Sequence, residues 1–291
     1  MSDPGRGGSQ HEFVDLHTHS TASDGARAPR DVVTAARAAG LVALALTDHD
    51  TLAGWPEACA AGDACGVRVI QGVELSAVEG DRGDQETHIL GLHLSRPSEL
   101  EDRLRAVRDM RVSRAERIVL RLNALGIPVT MDAVLAQAAG GAVGRPHVAR
   151  ALIAGGWVGD LCAAFERFLG NGKAAFVPKD RLPVPEAIGL IHRAGGLAIM
   201  AHPGPRGTRE RVAELVRDGL DGIEVLHPSH SWDDAQRLDA LTSEFQLVRS
   251  GGSDWHGAPD GSRTLGMMRV PSQWVADQEA RIAARGSRRV A

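Results

Sequence analysis

The chain of 291 residues contains no tyrosine and only 3% aromatic residues, so it lacks the stacking platforms on which single-strand nucleic-acid-binding modules hold bases. It has three cysteines, Cys59, Cys65 and Cys162, without a CxxC pair, which argues against a disulfide framework and against a thiolate zinc site. No apolar run approaches the ~18 residues of a membrane span, and the first residues lack the apolar core of a signal peptide. We therefore expect a cytoplasmic protein without membrane contacts.

A strong excess of one charge is also missing. The formal net charge is −4 and the isoelectric point lies near 6.3, which argues against binding of long duplex nucleic acid, because such binding depends on neutralising many phosphates. Hydrophobic residues make up 43% and charged residues 24%, which is typical of a globular chain. The composition therefore predicts an ordinary globular protein, and it does not indicate an oligomeric state.

Short apolar runs alternate with amphipathic stretches from Phe13 onwards, which predicts strands alternating with helices. Between residues 98 and 185 only helix-like segments occur, and the alternation then resumes. Such alternation favours a mainly parallel sheet or a (β/α) barrel. We therefore divide the chain into a disordered leader (1–11), an α/β barrel (12–97 and 186–272), a helical insertion (98–185) and a C-terminal tail (273–291) that is expected to be a fraying helix.

Histidines and carboxylates stand where the apolar runs end, and in α/β folds the carboxyl ends of strands are where sites assemble. His17 and His19 are two residues apart on the first predicted strand, so the strand period of two places both imidazoles on one face. The residues with such a placement are His17, His19, Asp24, His49, Glu74, His88, His202, Asp254 and His256.

Each of these residues is a weak signal alone, since an HxH pair occurs by chance and a lone histidine such as His88 is more often a packed core residue. Their joint placement at strand ends favours metal binding. Nine ligands suffice for three ions with positions left open for water, and imidazole mixed with carboxylate without thiolate suits Mn, Fe or Zn. Asp15 and Asp48 flank these residues and are expected to orient imidazole N–H groups.

The segments DLHTHSTASDG, LTDHD, GVELS, THILG, AHPG and SGGSDWHG resemble, in this order, the motifs of the polymerase-and-histidinol-phosphatase (PHP) family. The resemblance implies a distorted (β/α)7 barrel, here with an inserted helical cap subdomain, and a trinuclear site with the nine residues as ligands. Asp24, His202 and Asp254 would also be catalytic. Three divalent ions are implied, Mn²⁺ first and Fe²⁺ or Zn²⁺ as alternatives, without an organic cofactor. A metal-activated bridging hydroxide would then hydrolyse a phosphomonoester.

Within the family, the helical insertion and the segment GRPHVARAL resemble the branch that hydrolyses nucleoside 3′,5′-bisphosphates or AMP and includes a 5′–3′ trimming exoribonuclease. This resemblance implies that Arg111, Arg114 and Arg145 contact phosphate, for which guanidinium groups are suited. His147 is either a substrate contact or a helix-packing residue. The expected partner is a small phosphorylated nucleotide or the 5′ end of a short RNA.

Two alternatives remain, a histidinol-phosphate-type phosphatase and a non-catalytic metal-dependent binding module. The insertion is longer than ordinary loops and carries arginines, which favours a doubly phosphorylated substrate over histidinol phosphate. The complete set of candidate ligands argues against the binding module. The segment GIEVLHPSH adds His227 and His230, of which one is expected to face the substrate, and we favour His230.

Overall fold

The computed structural model describes residues 12–79, 85–139, 143–178, 182–258 and 261–288; the predicted leader at residues 1–11 lies outside these ranges. The strands are β1 (Phe13–Thr18), β2 (Ala43–Leu46), β3 (Arg68–Glu79), β4 (Gln85–Leu92), β5 (Leu197–Met200), β6 (Gly222–Leu226), β7 (Val248–Gly251) and β8 (Val270–Pro271). The helices are α1 (Pro29–Ala38), α2 (Trp55–Cys65), α3 (Ser98–Ala124), α4 (Met131–Ala138), α5 (Arg145–Ala154), α6 (Leu161–Ala164), α7 (Val184–Arg193), α8 (Arg209–Arg217), α9 (Trp232–Glu244) and α10 (Gln273–Arg288). A π-helical turn, Phe165–Leu169, continues α6, and a short 3₁₀ turn, Gly204–Arg206, precedes α8.

The eight strands form one sheet in the order β7-β6-β5-β4-β3-β2-β1-β8. The set β1 to β3 pairs in parallel, and so does the set β5 to β7, because a helix crosses over between consecutive strands in each set. Strand β4 runs antiparallel to both of its neighbours. The predicted α/β barrel is confirmed, with its parallel pattern interrupted at β4.

The sheet nearly closes where the chain leaving β7 meets β1. The backbone N–H of His19 donates to the carbonyl of Trp255 at 3.0 Å, and that of Asp254 donates to the carbonyl of His17 at 2.9 Å. Gly252 permits this approach, because a Cβ atom there would lie 2.5 Å from the Cβ of His17. Strand β8 pairs with β1 at the start of that strand, so it is an addition to a seven-stranded barrel. The carboxyl ends of the parallel strands therefore surround one opening.

The helices around the barrel form for local reasons and are held by burial. Helix α1 starts at Pro29, a position that needs no backbone N–H, and buries Val32, Val33 and Ala36 on the face towards the sheet. Each buried valine contributes about 1.5–3 kcal/mol of transfer free energy. Ser231 caps α9 by accepting a hydrogen bond from the backbone of Asp234. This packing fixes the strand ends from which the site residues project.

Helices α3 to α6 surround a hydrophobic core of their own, which includes Ile118, Leu122, Val148 and Leu152 and is separate from the clusters that line the barrel. We call these four helices the cap. Helix α7 begins at Val184 and packs in the barrel core, two residues before the boundary expected from the sequence. Within the described ranges, none of the helices combines the length and apolarity needed to cross a membrane.

Helix α10 is docked on the barrel, whereas the sequence predicts a fraying tail from Gln273. Val275 and Gln278 are buried, and the side-chain amide of Gln278 donates to the carbonyl of Arg249 at 2.7 Å. Arg285 forms an ion pair with Asp221 at 3.0 Å. These are long-range polar contacts, so the periodicity of residues 273–288 alone does not reveal them.

Candidate metal centre

The nine candidate ligands meet at the opening of the barrel. Glu74 and His88 lie within β3 and β4, and the other seven lie at the end of a parallel strand or in the segment that follows it. Donor atoms within 4.8 Å of one another form four overlapping groups: His19, Asp24, His49 and His256; His17, His19, Glu74 and Asp254; His49, Glu74 and His88; and His17, Glu224 and His227. His202 joins them through Nε2, which lies 3.0 Å from Oε1 of Glu74. The structure thus places all nine residues in one connected cluster, while their individual roles as ligands or catalytic groups stay predictions.

Glu74 lies at the centre of the cluster and is 1% exposed. Its Oε1 is 2.7 Å from Nδ1 of His88, and its Oε2 is 3.2 Å from both Nε2 of His19 and Nδ1 of His49. Burial opposes ionisation of the carboxyl, but the surrounding imidazoles, His49 and His88 foremost, outweigh it and hold the pKa of Glu74 well below its ordinary value. An ionised carboxylate is therefore shared between two of the groups.

In the metal-free protein the imidazoles hold protons unequally. Burial opposes protonation of His19, but its contacts with Asp254 and Glu74 outweigh burial and raise its pKa to about 10. The same balance, with Glu74 as the main opposing charge, raises the pKa of His88 to about 9. At His49 burial prevails and lowers the pKa to about 3. Since metals bind neutral imidazole, their binding would displace protons from His19 and His88.

Two buried nitrogens indicate that the cluster holds divalent cations. Nδ1 of His19 and Nδ1 of His49 make no hydrogen bond in the described part of the chain, although Oε2 of Glu74 lies 3.2 Å from the nitrogen of His49 in a geometry that does not form one. Leaving such an atom unsatisfied costs about 1–3 kcal/mol, and coordination to a cation removes that cost. A mixed set of imidazole and carboxylate donors without thiolate matches Mn, Fe or Zn. The residues present therefore fit bound divalent metal ions.

Three of the seven non-glycine residues with positive φ in the described part of the chain lie at the same opening. His202, Asp254 and Asp50 have φ values of 30°, 50° and 49°, in the left-handed region that residues other than glycine rarely adopt. The backbone N–H of His202 donates to Oε2 of Glu224 at 2.7 Å, which holds this conformation. Strain of this kind persists where the surrounding structure imposes it and clusters at functional sites. The conformation directs the side chains of strand-end residues into the opening.

Glu224 and His227 belong to the cluster, although the sequence analysis did not predict Glu224 and favoured His230 over His227. The carboxylate of Glu224 is fully buried and accepts a hydrogen bond from Nδ1 of His17 at 3.0 Å. Burial opposes ionisation, but His17 and His227 outweigh it and lower the pKa of Glu224 to about 2. Burial opposes protonation of His17, but Glu224 and two further carboxylates outweigh it and raise the pKa of His17 well above its ordinary value in the metal-free protein. Because Nδ1 donates to Glu224, Nε2 beside Glu74 is the nitrogen that would bind a metal once the ring is neutral. A lone acid inside the apolar run GIEVL was the available signal.

The preference for His230 as the substrate-facing residue needs correction. Both of its nitrogens engage the backbone: Nδ1 donates to the carbonyl of Val225 at 2.9 Å, and Nε2 accepts from the N–H of Gly204 at 3.1 Å. His227 instead lines the cleft, with Nε2 3.4 Å from Oδ2 of Asp254. The fixed spacing of HPSH could not distinguish the two, because the turn after β6 decides which ring points inwards.

We predict that Glu224→Gln weakens metal binding by about 10- to 100-fold, because the amide no longer fixes the Nδ1–H tautomer of His17 with a charged acceptor. The measurement is a Mn²⁺ titration of chelated, refiltered protein, followed by electron paramagnetic resonance of free Mn²⁺. Glu214→Gln, an exposed change on α8, serves as the control. An unchanged Mn²⁺ affinity in the Glu224 variant would show that Glu224 does not orient a ligand.

The cap forms the other wall of the opening. A cavity of about 160 Å³ is lined by Asp24, His49 and His88 from the barrel and by Arg111, Arg114, Arg145 and His147 from the cap. The predicted substrate contacts other than His230 are thus adjacent to the predicted metal ligands. Whether they bind substrate is a prediction that their position supports.

Each cap residue is held differently. Arg111 donates to the buried carboxylate of Asp50 and, at 3.0 Å, to the hydroxyl of Ser76. The guanidinium of Arg145 lies between two phenylalanine rings, with centroid distances of 5.6 and 5.7 Å, and 3.5 Å from Glu86. The ring of His147 is 1% exposed, and its Nδ1 accepts from the backbone N–H of Gly144. Of the two alternatives for His147, this capping contact favours helix packing.

Asp15 and Asp48 position loops, whereas the sequence analysis expected them to orient imidazoles. Asp15 accepts from the backbone N–H groups of Ser253 at 2.9 Å and Gly266 at 3.0 Å. Asp48 accepts from the backbone and hydroxyl of Ser20, both at 2.7 Å. These bonds fix the loops that follow β1 and β7, and hence the ligands on them.

Comparison with known proteins is consistent with this geometry. The family model described as PHP domain matches residues 15–227. The chain is 40% identical over 248 residues to a 5'-3' exoribonuclease of Haemophilus influenzae, covering 83% of this chain and 89% of that protein. It is 36% identical over 261 residues to a 3',5'-nucleoside bisphosphate phosphatase of Chromobacterium violaceum, covering 87% and 90%. A solved structure from Bifidobacterium adolescentis, assigned as a metal-dependent phosphoesterase, superposes with a TM-score of 0.84 at 33% identity, covering 93% of this chain and 96% of that one.

Proposed function

The chain belongs to the PHP domain family and is a metal-dependent phosphoesterase, and we propose that it hydrolyses a phosphomonoester of a small nucleotide. The preferred substrates are a nucleoside 3′,5′-bisphosphate or AMP, with trimming of 5′-phosphorylated short RNA as a related activity. We further propose that three divalent ions, Mn²⁺ first and Fe²⁺ or Zn²⁺ as alternatives, occupy the cluster. The cytoplasm is the proposed location.

The observation that carries the nucleotide proposal is the buried guanidinium of Arg114. It is 6% exposed, and its Nε donates to the carbonyl of Val177 at 2.8 Å. Burial, and next the charge of Arg145, lower its pKa to about 10. Among the described residues no carboxylate forms an ion pair with Arg114, although the charge of Glu86 in the same cavity partly opposes the lowering of its pKa. A buried cation is costly unless an anion accompanies it. A substrate phosphate supplies that anion.

The residues of the cleft have separate tasks. The nine-residue cluster would hold the ions, with Glu74 shared between groups. In that cluster, divalent ions would supply a water of lowered pKa as nucleophile and positive charge for the phosphoryl group. Arg114 and Arg145, which line the cavity from the cap side, hold a substrate phosphate. Catalytic roles of Asp24, His202 and Asp254 remain part of the proposal.

The decisive assay offers the purified, Mn²⁺-loaded protein four substrates separately: 3′-phosphoadenosine 5′-phosphate, AMP, a short 5′-phosphorylated RNA and histidinol phosphate. Release of inorganic phosphate and of nucleotides is followed. We expect the bisphosphate to have the highest kcat/KM, because it engages the cluster and the cap arginines together. If only histidinol phosphate is hydrolysed, the protein is a histidinol-phosphate-type phosphatase. If none of the four substrates is hydrolysed, the result favours a non-catalytic metal-dependent binding module.

We predict that Arg114→Gln raises KM for the bisphosphate about 10- to 100-fold, since one charge-assisted contact to phosphate contributes about 1.5–3 kcal/mol. KM for adenosine 3′-monophosphate should change little. Arg117→Gln, an exposed change on the same helix, is the matched control and should keep the KM of the unmodified protein. A thermal unfolding curve checks that the Arg114 variant is folded. Equal KM values for the bisphosphate in both variants would remove Arg114 from the substrate site.

A further inference from the structure

A cationic side chain, Arg263, borders the candidate metal cluster in a part of the cleft whose lining, among the described residues, contains none from the cap. It lies on the segment after β7 that also carries Asp254 and His256. Its Nη1 donates to the side-chain carboxylate of Asp254 and, at 3.1 Å, to the backbone carbonyl of the same residue. The sequence analysis did not single it out.

Only one of the three guanidinium nitrogens of Arg263 makes a hydrogen bond to the described residues. Within the described ranges both of its hydrogen bonds involve Nη1, so Nη2 and Nε have no partner there. Its side chain is 35% exposed and lines the cleft together with His49, His88 and His227. Nη2 and Nε of a guanidinium donate in parallel directions. This is the geometry that binds two oxygens of one phosphate.

The cavity beneath the cap arginines and the part of the cleft beside Arg263 adjoin each other. His49 and His88 line both the cavity below the cap arginines and the part of the cleft beside Arg263. Arg263 contacts one candidate metal ligand, Asp254, directly, and Oδ1 of the same carboxylate is 3.1 Å from Nε2 of a second, His19. A phosphoryl group seated on the cluster therefore lies between Arg263 and the cap.

We propose that Arg263 is a catalytic residue that contacts the phosphoryl group being hydrolysed, whereas Arg114 and Arg145 hold the second phosphate of the substrate. This proposal rests on the proposed phosphoesterase function. In it, Nη1 remains on Asp254 while Nη2 and Nε donate to non-bridging oxygens, where charge must be stabilised during hydrolysis. The competing role is purely structural, with Arg263 orienting Asp254 and touching no substrate.

The test compares Arg263→Gln, Arg263→Lys and Arg114→Gln, with Arg117→Gln as the remote control. Steady-state rates are measured on 3′-phosphoadenosine 5′-phosphate and on adenosine 3′-monophosphate. We expect Arg263→Gln to lower kcat about 100-fold on both substrates with little change in KM. Arg263→Lys should recover only part of the lost kcat, because the lysine ammonium lacks the two parallel N–H donors of a guanidinium. Arg114→Gln should instead raise KM on the bisphosphate alone.

A second readout does not depend on turnover. Mn²⁺ affinity is measured by titration, and inorganic phosphate binding to the Mn²⁺-loaded protein by calorimetry. We expect Arg263→Gln to leave Mn²⁺ affinity unchanged and to weaken phosphate binding about tenfold or more. Weakened Mn²⁺ binding with unchanged phosphate affinity would establish the structural role and overturn the proposal, as would an unchanged kcat. If the nucleotide substrates fail altogether, phosphate binding still decides the role of Arg263.

Discussion

Replacing Glu74 with glutamine should lower kcat/KM on the preferred nucleotide on the order of 1000-fold, because the metal ions and the charge at the centre of the site are lost together. Both oxygens of Glu74 face imidazole nitrogens, and the cluster buries the side chain almost completely. The glutamine amide would present an N–H donor, in place of a carboxylate oxygen, to at least one of these imidazole nitrogens. The variant should contain fewer than the full number of metal ions by elemental analysis.

A matched control lies on the same strand. Glu79, five residues further along β3, pairs with Arg211 through Nε at 2.9 Å and does not belong to the cluster. Glu79→Gln should keep its metal content and a kcat/KM near that of the unmodified protein. A Glu74 variant that retained both metals and activity would exclude this residue as a ligand.

Removing the metal ions should abolish hydrolysis, with a loss of about 1000-fold or more, since the water nucleophile then reverts to its ordinary pKa. The protein is treated with EDTA, desalted and assayed before and after addition of Mn²⁺, Fe²⁺ or Zn²⁺. EDTA already saturated with Mn²⁺ is the control and should have no effect. Full activity after rigorous chelation, with metals absent by elemental analysis, would contradict a metal-dependent site.

The affinity of the metal-free protein for divalent ions should rise as the pH rises from 7 towards 9. The ions must displace protons from His19 and His88, whose pKa values are raised to about 10 and about 9. Each displaced proton changes the apparent affinity about tenfold per pH unit. The free energy of unfolding of the metal-free protein should instead fall as the pH rises. Raised folded-state pKa values stabilise it fully only below the ordinary value of 6.5, and that stability is lost as the pH rises through 9 and 10.

The sequence predicted the barrel and the nine-residue cluster because both follow from local patterns. A strand period of two places His17 and His19 on one side, and the structure brings their Nε2 atoms within 3.1 Å. Ends of parallel strands meet at one edge, so Glu74 and His202 could be grouped without knowing any contact. Both features follow from the periodicity of strands and the topology of a parallel sheet.

The residues that were missed depend on long-range packing. Strand β4 runs antiparallel to its neighbours because of its pairing partners, and no pattern within Gln85–Leu92 specifies that direction. Glu224 left a detectable signal, since a carboxylate inside an apolar strand must have a buried partner. Arg263 left none, because an arginine in a polar loop is ordinary until its distance from Asp254 is known.

The seam between β1 and the chain after β7 has a consequence for the order of folding. It joins His17 to Asp254 by a backbone bond of 2.9 Å, although most of the polypeptide lies between them. Contacts of such high sequence separation carry a large loop-closure entropy and form late. High-affinity metal uptake therefore requires the two ends of the chain to have met, and the appearance of bound Mn²⁺ during refolding would mark the last cooperative step.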